Sequence, residues 1–311
     1  MLAACGGAQP PISATGAMPQ SSAVAAHAER GKSWMLPEAK GEDLLYVSDD
    51  VLSEVYVLTL PEGKLAGVLT GFDTPVGECV DATGNIWIAN ESSSELLQYA
   101  HGGTAPIATL SEPGEYPGGC AIDPTTGDLA VANSDDVAVF PDAQGTPTTY
   151  SDPDITQYYY CTYDASGNLF ADGESAGMIA ELPRGGSSLS TISLNNNFYP
   201  LSLQWDGTYI SIVELGTHGQ KGVKRVDRVS VAGSSVKTVG TVLLKTPSGK
   251  MVNRLEQYWI ADHRIVGPDI YKRNAHGLLV LSWRYPDGGE PTKALDASWE
   301  DPWGVTVSLA K

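Results

Sequence analysis

Aromatic and acidic side chains recur in the segments that lead into several predicted strands of this 311-residue chain. Aromatic rings stack on the C–H faces of sugars and on peptide side chains, and carboxylates orient such ligands through hydrogen bonds. We therefore expect a rim that binds a carbohydrate or a peptide. The alternative is that the aromatic side chains fill the centre of the fold and only pack. The candidate ligand-binding residues are Asp73, Glu115, Tyr158, Tyr159, Tyr199, Trp299 and Asp301.

The common sequence motifs for catalysis are absent. The chain has no Gly-x-Ser-x-Gly turn for a nucleophilic serine, no His-Glu-x-x-His zinc motif and no glycine-rich phosphate loop. Its five histidines fall in predicted turns, insertions or the N-terminal segment, where histidine is usually a polar surface residue. We therefore predict no catalytic residue from motifs.

Three cysteines, Cys79, Cys120 and Cys161, recur at steps of 41 residues. A disulfide needs Cα atoms about 4.4 to 6.8 Å apart, and equivalent positions in adjacent repeats are expected to be farther apart. Cys79 stands one position later than the other two relative to the aspartate that follows, so its side chain should face the other way. We expect small buried thiols, with a Cys120–Cys161 bridge as the alternative. Their spacing does not match the paired cysteines of zinc sites.

The cysteines belong to a longer repeat. The segment from Pro75 to Asn90 aligns with the segment from Pro117 to Asn133, and two shorter copies follow. Each copy combines alternating apolar residues with an aspartate and a turn glycine, which predicts a β-hairpin. An aspartate before such a turn accepts hydrogen bonds from backbone N–H groups, so we interpret these carboxylates as turn-forming rather than catalytic. They are Asp81, Asp123, Asp164 and Asp206.

The period of this repeat predicts the fold. Units of about 40 to 45 residues with four short strands are typical of β-propeller blades, each of which buries its faces against its neighbours. A second marker, an apolar residue followed by Pro or Ala and a turn, occurs six times between Leu60 and Gly289. We therefore predict an all-β, six-bladed propeller with four-stranded antiparallel blades. The segment from Pro302 to Ser308 repeats the Pro-x-Gly pattern and should close the ring by pairing beside residues 44–47 of the N-terminal blade.

The repeat core reads Pro-x-Gly-x-x-x-Asp-x-x-Gly-Asn, followed by an apolar strand that ends in Ala-Asn, and is clearest from Pro75 to Asn90. Over residues 43–311 the chain resembles the NHL-repeat and SMP-30/gluconolactonase-like group of six-bladed propellers. That resemblance implies the fold, whereas functions in the group range from lactonases and lyases to binding modules. We expect a ligand-binding or protein-interaction scaffold without a cofactor.

The alternative that this resemblance implies is a lactonase or hydrolase that depends on a divalent metal. Such an enzyme holds a cation, here calcium, in the central channel, where it polarises the lactone carbonyl and activates water. Asp73, Glu115 and Asp301 could supply an oxygen cage near the inner strand starts. Most of those starts are prolines, however, and the asparagine ligands of the family are not visible.

The first 42 residues differ from the repeats. Leu2-Ala-Ala-Cys5 followed by two glycines resembles a bacterial lipobox, in which the cysteine carries the lipid. Only four residues precede Cys5, so either the true start lies upstream or the match is chance. Residues 6–42 are rich in Ala, Gly, Pro, Ser and Gln, which is typical of a disordered tether. We divide the chain into a signal remnant at 1–5, a tether at 6–42 and a propeller at 43–311.

Composition supports an exported protein body. The net charge of −18 argues against binding to nucleic acid and to anionic lipid surfaces, because both favour clustered Lys and Arg. No stretch approaches the 18 consecutive apolar residues of a membrane-spanning helix. We expect a monomer of the bacterial cell envelope, either lipid-anchored or secreted, whose partner is a protein, a peptide or a carbohydrate.

Overall fold

The computed structural model describes residues 31–112, 116–216, 223–274, 277–295, 297 and 299–311. These residues form an all-β protein, in which the helices are three short 3-10 turns, Pro37–Gly41, Glu91–Ser93 and Pro141–Ala143. None of the helices in this part of the chain is long and apolar enough to cross a membrane.

The described residues form 25 strands. The first twelve are β1 (Trp34–Met35), β2 (Asp43–Asp49), β3 (Glu54–Leu60), β4 (Leu65–Thr70), β5 (Pro75–Val80), β6 (Ile86–Asn90), β7 (Glu95–Tyr99), β8 (Pro106–Ser111), β9 (Cys120–Ile122), β10 (Leu129–Ala132), β11 (Val137–Phe140) and β12 (Thr148–Tyr150). The remainder are β13 (Tyr158–Tyr163), β14 (Leu169–Gly173), β15 (Met178–Leu182), β16 (Ser190–Ser193), β17 (Tyr199–Trp205), β18 (Ile210–Leu215), β19 (Val223–Ala232), β20 (Ser235–Val242), β21 (Trp259–Ala261), β22 (Arg264–Asn274), β23 (Gly277–Arg284), β24 (Gly288–Leu295) and β25 (Pro302–Ser308).

Consecutive strands pair antiparallel and form five hydrogen-bonded sheets. Three sheets have four strands each, in the orders β5-β6-β7-β8, β9-β10-β11-β12 and β21-β22-β23-β24. The largest sheet contains two such runs, β13 to β16 and β17 to β20, which are joined by a single parallel pair, Ser193 and Ser235. The remaining sheet combines β2, β3 and β4 with β1 at one edge and β25 at the other.

The predicted pairing of the C-terminal strand is confirmed. Strand β25 lies antiparallel to β2, with Val307 opposite Leu45 and Val305 opposite Val47. Both valines are buried. Six strands, which we call the inner strands, contact one another in a closed cycle that runs β25, β5, β9, β13, β17, β21 and back to β25. The last strand of the chain therefore completes a ring around a central channel.

The Pro-x-Gly repeat reflects how closely the inner strands approach one another. A Cβ atom on Gly77 would lie 2.4 Å from the carbonyl oxygen of Gly118, and one on Gly304 would lie 2.0 Å from that of Val76. Both distances are far below van der Waals contact. Glycine is therefore required where the backbone of one inner strand faces that of the next.

The turn aspartates have the structural role that the sequence predicts. Asp81 Oδ1 accepts hydrogen bonds from the backbone N–H groups of Thr83 and Asn85 at 2.7 and 2.9 Å. Asp206 Oδ1 accepts from Tyr209 N at 2.7 Å in the same way. These carboxylates fix the hairpin between the first two strands of a run.

Residues 31–42 pack against the first sheet, although the sequence assigns them to the tether. Trp34 and Met35 pair with Val68 and Gly67 of β4, and Ala39 is fully buried in the adjacent core. Their apolar surface covers the edge of a sheet that would otherwise expose unpaired backbone groups. The folded part thus begins before residue 43. Cys5 lies outside the described residues.

The cysteines differ from the sequence expectation. Cys79 and Cys120 form a disulfide with a Cα–Cα distance of 5.5 Å, and Cys161 is a buried free thiol. The expectation of free thiols at Cys79 and Cys120 and the alternative Cys120–Cys161 bridge are both wrong. Cys79 stands one position later in its copy of the repeat than Cys120 does, so the two side chains lie on opposite faces of their strands. Opposite faces of neighbouring sheets meet in a ring, so this offset brings the two sulfur atoms together.

Candidate functional site

A cavity of about 290 Å³ lies where the inner strands begin, and we call it the channel mouth. Side chains alternate between the two sides of a strand, so the middle residue of each Pro-x-Gly triplet, or of its equivalent in another copy, has the same orientation. Five of these middle positions line the channel mouth, namely Val76, Gly118, Tyr159, Leu201 and Trp303. The repeat therefore supplies the wall of the cavity.

Charged residues reach the channel mouth from the segment before β21. Arg254 Nε forms an ion pair with Glu256 Oε1, and the Glu256 side chain is almost completely buried. The Arg254 guanidinium also lies over the ring of Trp303, 5.6 Å from its centroid. Asp269 holds this segment in place, because its Oδ1 accepts a hydrogen bond from Asn253 N at 3.1 Å. An aromatic face and an ion pair with a buried carboxylate are thus combined in one wall.

The carboxyl groups around the channel mouth have perturbed pKa values. Burial raises the pKa of Glu256 to about 7, although the neighbouring Arg254 acts in the opposite direction. Burial, followed by repulsion from Asp301, raises the pKa of Asp50 to about 6. Both groups therefore change protonation near neutral pH, where they can accept or donate hydrogen bonds to a ligand.

Tyr160 separates the channel mouth from a second cavity, of about 220 Å³, farther along the channel. Its side chain is buried, and burial raises its pKa well above the ordinary tyrosine value. The Tyr160 hydroxyl makes no hydrogen bond of ordinary geometry within the described residues, although the Trp303 side chain is close enough to lower its pKa. An unpaired buried hydroxyl costs about 1–3 kcal/mol. A ligand in either cavity could satisfy it.

Three of the sequence-predicted rim residues lie at or beside the channel mouth. Tyr158 and Tyr159 line it. Tyr158 is buried, and its hydroxyl accepts a hydrogen bond from Asp152 N at 2.8 Å, so it has a structural role as well. Asp301 lies close enough to raise the pKa values of Asp50 and Glu256.

The other predicted rim residues are placed elsewhere. Asp73 is exposed, and its backbone N–H donates to Asn90 Oδ1 at 2.6 Å. Tyr199 begins β17 and does not line the channel mouth. Trp299 is buried, with its ring edge-on to Tyr56 at a centroid distance of 5.1 Å, which is the packing role given above as the alternative. Glu115 lies outside the described residues.

Sequence reasoning missed Arg254, Glu256 and Trp303. The signal for Trp303 was present, because it occupies the middle of the Pro-x-Gly triplet that closes the ring. Arg254 gave no such signal. Glu256 aligns with the inner strand starts of the other copies, but its copy has lost the Pro-x-Gly triplet and it was not assigned to the site. Their juxtaposition depends on the three-dimensional path of one irregular segment.

The oxygen cage suggested for calcium is not assembled in the described residues. No group of three or more His, Cys, Asp and Glu side chains in that part of the chain is arranged to hold a metal ion. Of the three proposed ligands, Asp73 and Asp301 are described and Glu115 is not.

Comparison with known proteins defines the class of fold. No family model and no curated protein sequence matches the chain. A chain in the crystal structure of the nidogen–laminin complex is 14% identical, with a TM-score of 0.67 over 86% of this chain and 99% of its own length. A protein of unknown function from Bacteroides caccae is 11% identical, with a TM-score of 0.63 over 86% of this chain and 99% of its own. Streptogramin B lyase is 13% identical, with a TM-score of 0.57 over 90% of this chain and 95% of its own. These similarities establish a β-propeller fold.

Proposed function

We propose that this chain is an extracytoplasmic β-propeller that binds a small polar ligand, a saccharide or a peptide end, at the channel mouth. The observation that carries the proposal is the combination of Tyr159, Trp303 and the Arg254–Glu256 ion pair around one cavity, above the unpaired Tyr160 hydroxyl. The aromatic faces supply stacking area, and the ion pair and hydroxyl supply directional hydrogen bonds. Such a site selects its ligand by shape and by hydrogen bonding together.

The architecture that we propose has six blades of four strands. The single pair of residues that joins β16 to β20 is a weak link, and separating the largest sheet there gives six antiparallel runs with one inner strand each. β1 is then an additional edge strand of the first blade. This division agrees with the six markers in the sequence and with the NHL-like repeat pattern.

The proposed location is the bacterial cell envelope. The Cys79–Cys120 disulfide supports export, because disulfides persist in oxidising compartments and are rare in the cytosol. Lipid attachment at Cys5 remains part of the proposal. A tether from residue 6 to the folded part would hold the propeller away from the membrane surface.

The experiment is a binding screen with two sets of probes. A panel of mono- and disaccharides and a panel of short peptides would be titrated against the protein, with tryptophan fluorescence and melting temperature as readouts. The peptide arm is motivated by the fold that this chain shares with a component of the nidogen–laminin complex. We expect one class of probe to quench the fluorescence and raise the melting temperature, since a ligand bound only by the native state stabilises it.

Variants then locate the binding site. Tyr159→Ala should weaken binding at least tenfold, because it removes an aromatic wall of the channel mouth. Tyr209→Ala is the matched control, since Tyr209 is also half-buried but lies in a turn away from the cavity. Equal affinities for the two variants would refute the assignment of the site.

A hydrolase or metal-dependent lactonase is the second candidate. It is favoured by Glu256, a buried carboxyl group whose pKa of about 7 suits a general acid or base at neutral pH. Added calcium should then raise the melting temperature, and Asp301→Asn should abolish that effect. Lactone hydrolysis that is unchanged by Glu256→Gln would exclude this candidate.

A further inference from the structure

A third cavity opens at the opposite ends of the inner strands and shares no lining residue with the channel mouth. It has a volume of about 420 Å³. It lies between the sheet β21 to β24 and the sheet that contains β2, β3 and β25. Its charged lining residues include Arg264, Arg284 and Lys293, so we call it the arginine cleft. Basic residues are scarce in this chain, with 19 Lys and Arg against 37 Asp and Glu.

Two arginines stand directly opposite each other in this cleft. Arg264 of β22 and Arg284 of β23 are paired across the two antiparallel strands, and both side chains are exposed. Within the described part of the chain, neither side chain takes part in an ion pair or a hydrogen bond. Like charges placed opposite each other in a sheet are destabilising. An anion bound between the two guanidinium groups would therefore relieve their repulsion.

The other charged groups of the cleft leave the arginine pair available. Lys293 donates from Nζ to the carbonyl oxygen of Pro61 at 2.8 Å, which holds a third positive charge nearby. Asp43 and Asp262 also line the cleft, but neither is within ion-pair distance of an arginine. Asp43 Oδ1 instead accepts a hydrogen bond from Ala310 N at 2.8 Å.

The cleft also has an apolar wall beside the arginine pair. Trp259, Val266, Ser282 and Lys293 form one row across the four strands, on the same face as the arginine pair. Trp259 is only half-buried, and it shares a hydrophobic cluster with Leu295 and Val307, which also line the cleft. A ligand that fits here needs an apolar body and a negatively charged head.

We propose that the arginine cleft binds an organic anion, with its apolar body against Trp259 and its acidic head between Arg264 and Arg284. The planar guanidinium groups match the two oxygen atoms of a carboxylate and the oxygen atoms of a phosphate or sulfonate equally well. The head group is thus defined by its charge and geometry. The competition experiment below distinguishes a carboxylate from a phosphate monoester.

The test uses 1-anilinonaphthalene-8-sulfonate, an aromatic anion whose fluorescence rises on binding to apolar surface, with full-length protein. The neutral N-phenyl-1-naphthylamine, which has the same ring system without the sulfonate, is the probe control. We expect saturable binding of the anion that weakens with added salt, and at least tenfold weaker binding of the neutral probe. Equal binding of both probes would overturn the proposal.

Variants assign the binding to the cleft. Arg284→Gln should weaken binding of the anionic probe at least tenfold, whereas Arg184→Gln, the same change at an exposed arginine away from the cleft, should change it less than twofold. Because Arg284→Gln relieves a like-charge pair, its melting temperature should equal or exceed that of the wild type, so weaker binding cannot be attributed to unfolding. Unchanged affinity in Arg284→Gln would overturn the proposal, and so would equal losses in the two variants.

Competition identifies the head group. Octanoate and octyl phosphate would each be titrated against the bound probe. Displacement by octanoate alone indicates a carboxylate ligand, and displacement by octyl phosphate alone indicates a phosphate monoester. Displacement by neither compound at millimolar concentration would overturn the proposal.

Discussion

The side chain of Gln257 forms hydrogen bonds with the backbone of Glu78, 179 residues away in the sequence. Gln257 Oε1 accepts a hydrogen bond from Glu78 N at 2.8 Å, and Gln257 Nε2 donates to the carbonyl oxygen of Glu78. Both residues are buried. One amide group therefore satisfies two backbone groups of β5 that have no strand partner at that point, and it links the two neighbours of β25 in the ring.

Replacing Gln257 should destabilise the ring. Gln257→Leu would leave the buried N–H and C=O of Glu78 unsatisfied, at a cost of about 1–3 kcal/mol for each group. Gln204→Leu is the matched control, because the Gln204 side chain is half-buried in the same channel and makes no hydrogen bond within the described residues. Denaturant unfolding measures both changes. Similar midpoints for the two variants would show that the bridge contributes nothing.

Removal of the C-terminal strand should abolish cooperative folding. Deletion of residues 301–311 removes the buried Val305 and Val307 and exposes the whole edge of β2. Deletion of residues 309–311 keeps β25 intact and is the control. We expect the longer deletion to give a broad, probe-dependent transition and aggregation, and the shorter one to melt sharply. A sharp, unshifted transition for the longer deletion would contradict the role of β25 in closure.

The disulfide should contribute measurably to stability. It closes a loop across a sequence separation of 41 residues, for which loop-closure entropy gives about 4 kcal/mol. We expect the double variant Cys79→Ala/Cys120→Ala to lose much of this amount in denaturant unfolding. Cys161→Ala, which removes only a buried thiol, should cost about 1 kcal/mol. A double variant as stable as Cys161→Ala would contradict the expectation.

Stability should fall as the pH rises from 5 to 8. The pKa of Glu256 is about 7 in the folded protein against 4.5 for an ordinary glutamate, so the folded state binds more protons in this range. The stabilisation is complete below about pH 4.5 and is lost as the pH passes 7, by about 3 kcal/mol for this shift. Asp50, with a raised pKa of about 6, acts in the same direction, as do the buried carboxyl groups of Glu78 and Asp172.

Glu256→Gln should flatten this pH profile, whereas Glu62→Gln, at an exposed glutamate, should leave it unchanged. Below pH 4, Asp206 changes the free energy of unfolding in the opposite direction. Burial alone would raise its pKa, but hydrogen bonds from Tyr209, Tyr285 and Arg228 lower it, so its contribution is lost as the pH falls. Stability that rises from pH 5 to 8 would contradict the assignment.

The parts of the fold that follow from repetition could be predicted from the sequence. The 41-residue steps, the turn aspartates such as Asp81 and the final Pro302-Trp-Gly304 triplet indicate the hairpins and the closing strand. The disulfide could not be predicted in the same way. The sequence indicates that Cys79 and Cys120 face opposite ways, but not that β5 approaches β9 closely enough for a Cα–Cα distance of 5.5 Å.

The candidate site was predicted only in part, for a similar reason. Tyr158 and Tyr159 belong to a recognisable copy of the repeat, and they line the channel mouth. Arg254 and Glu256 come from a copy whose pattern is lost. Trp299 lies in an irregular connection between β24 and β25, and its burial against Tyr56 depends on packing between sheets.

The most direct test of the channel mouth as a binding site compares two tyrosine hydroxyls without any ligand. Tyr160→Phe removes a buried hydroxyl that makes no hydrogen bond of ordinary geometry within the described residues, so the free energy of unfolding should rise by roughly 1–2 kcal/mol. Tyr158→Phe removes a hydroxyl that accepts a hydrogen bond from Asp152 N, so the free energy of unfolding should fall by a similar amount. Denaturant unfolding of the two variants beside the wild type measures both. A loss of stability in Tyr160→Phe equal to that in Tyr158→Phe would show that the Tyr160 hydroxyl serves the fold and would contradict its role in binding.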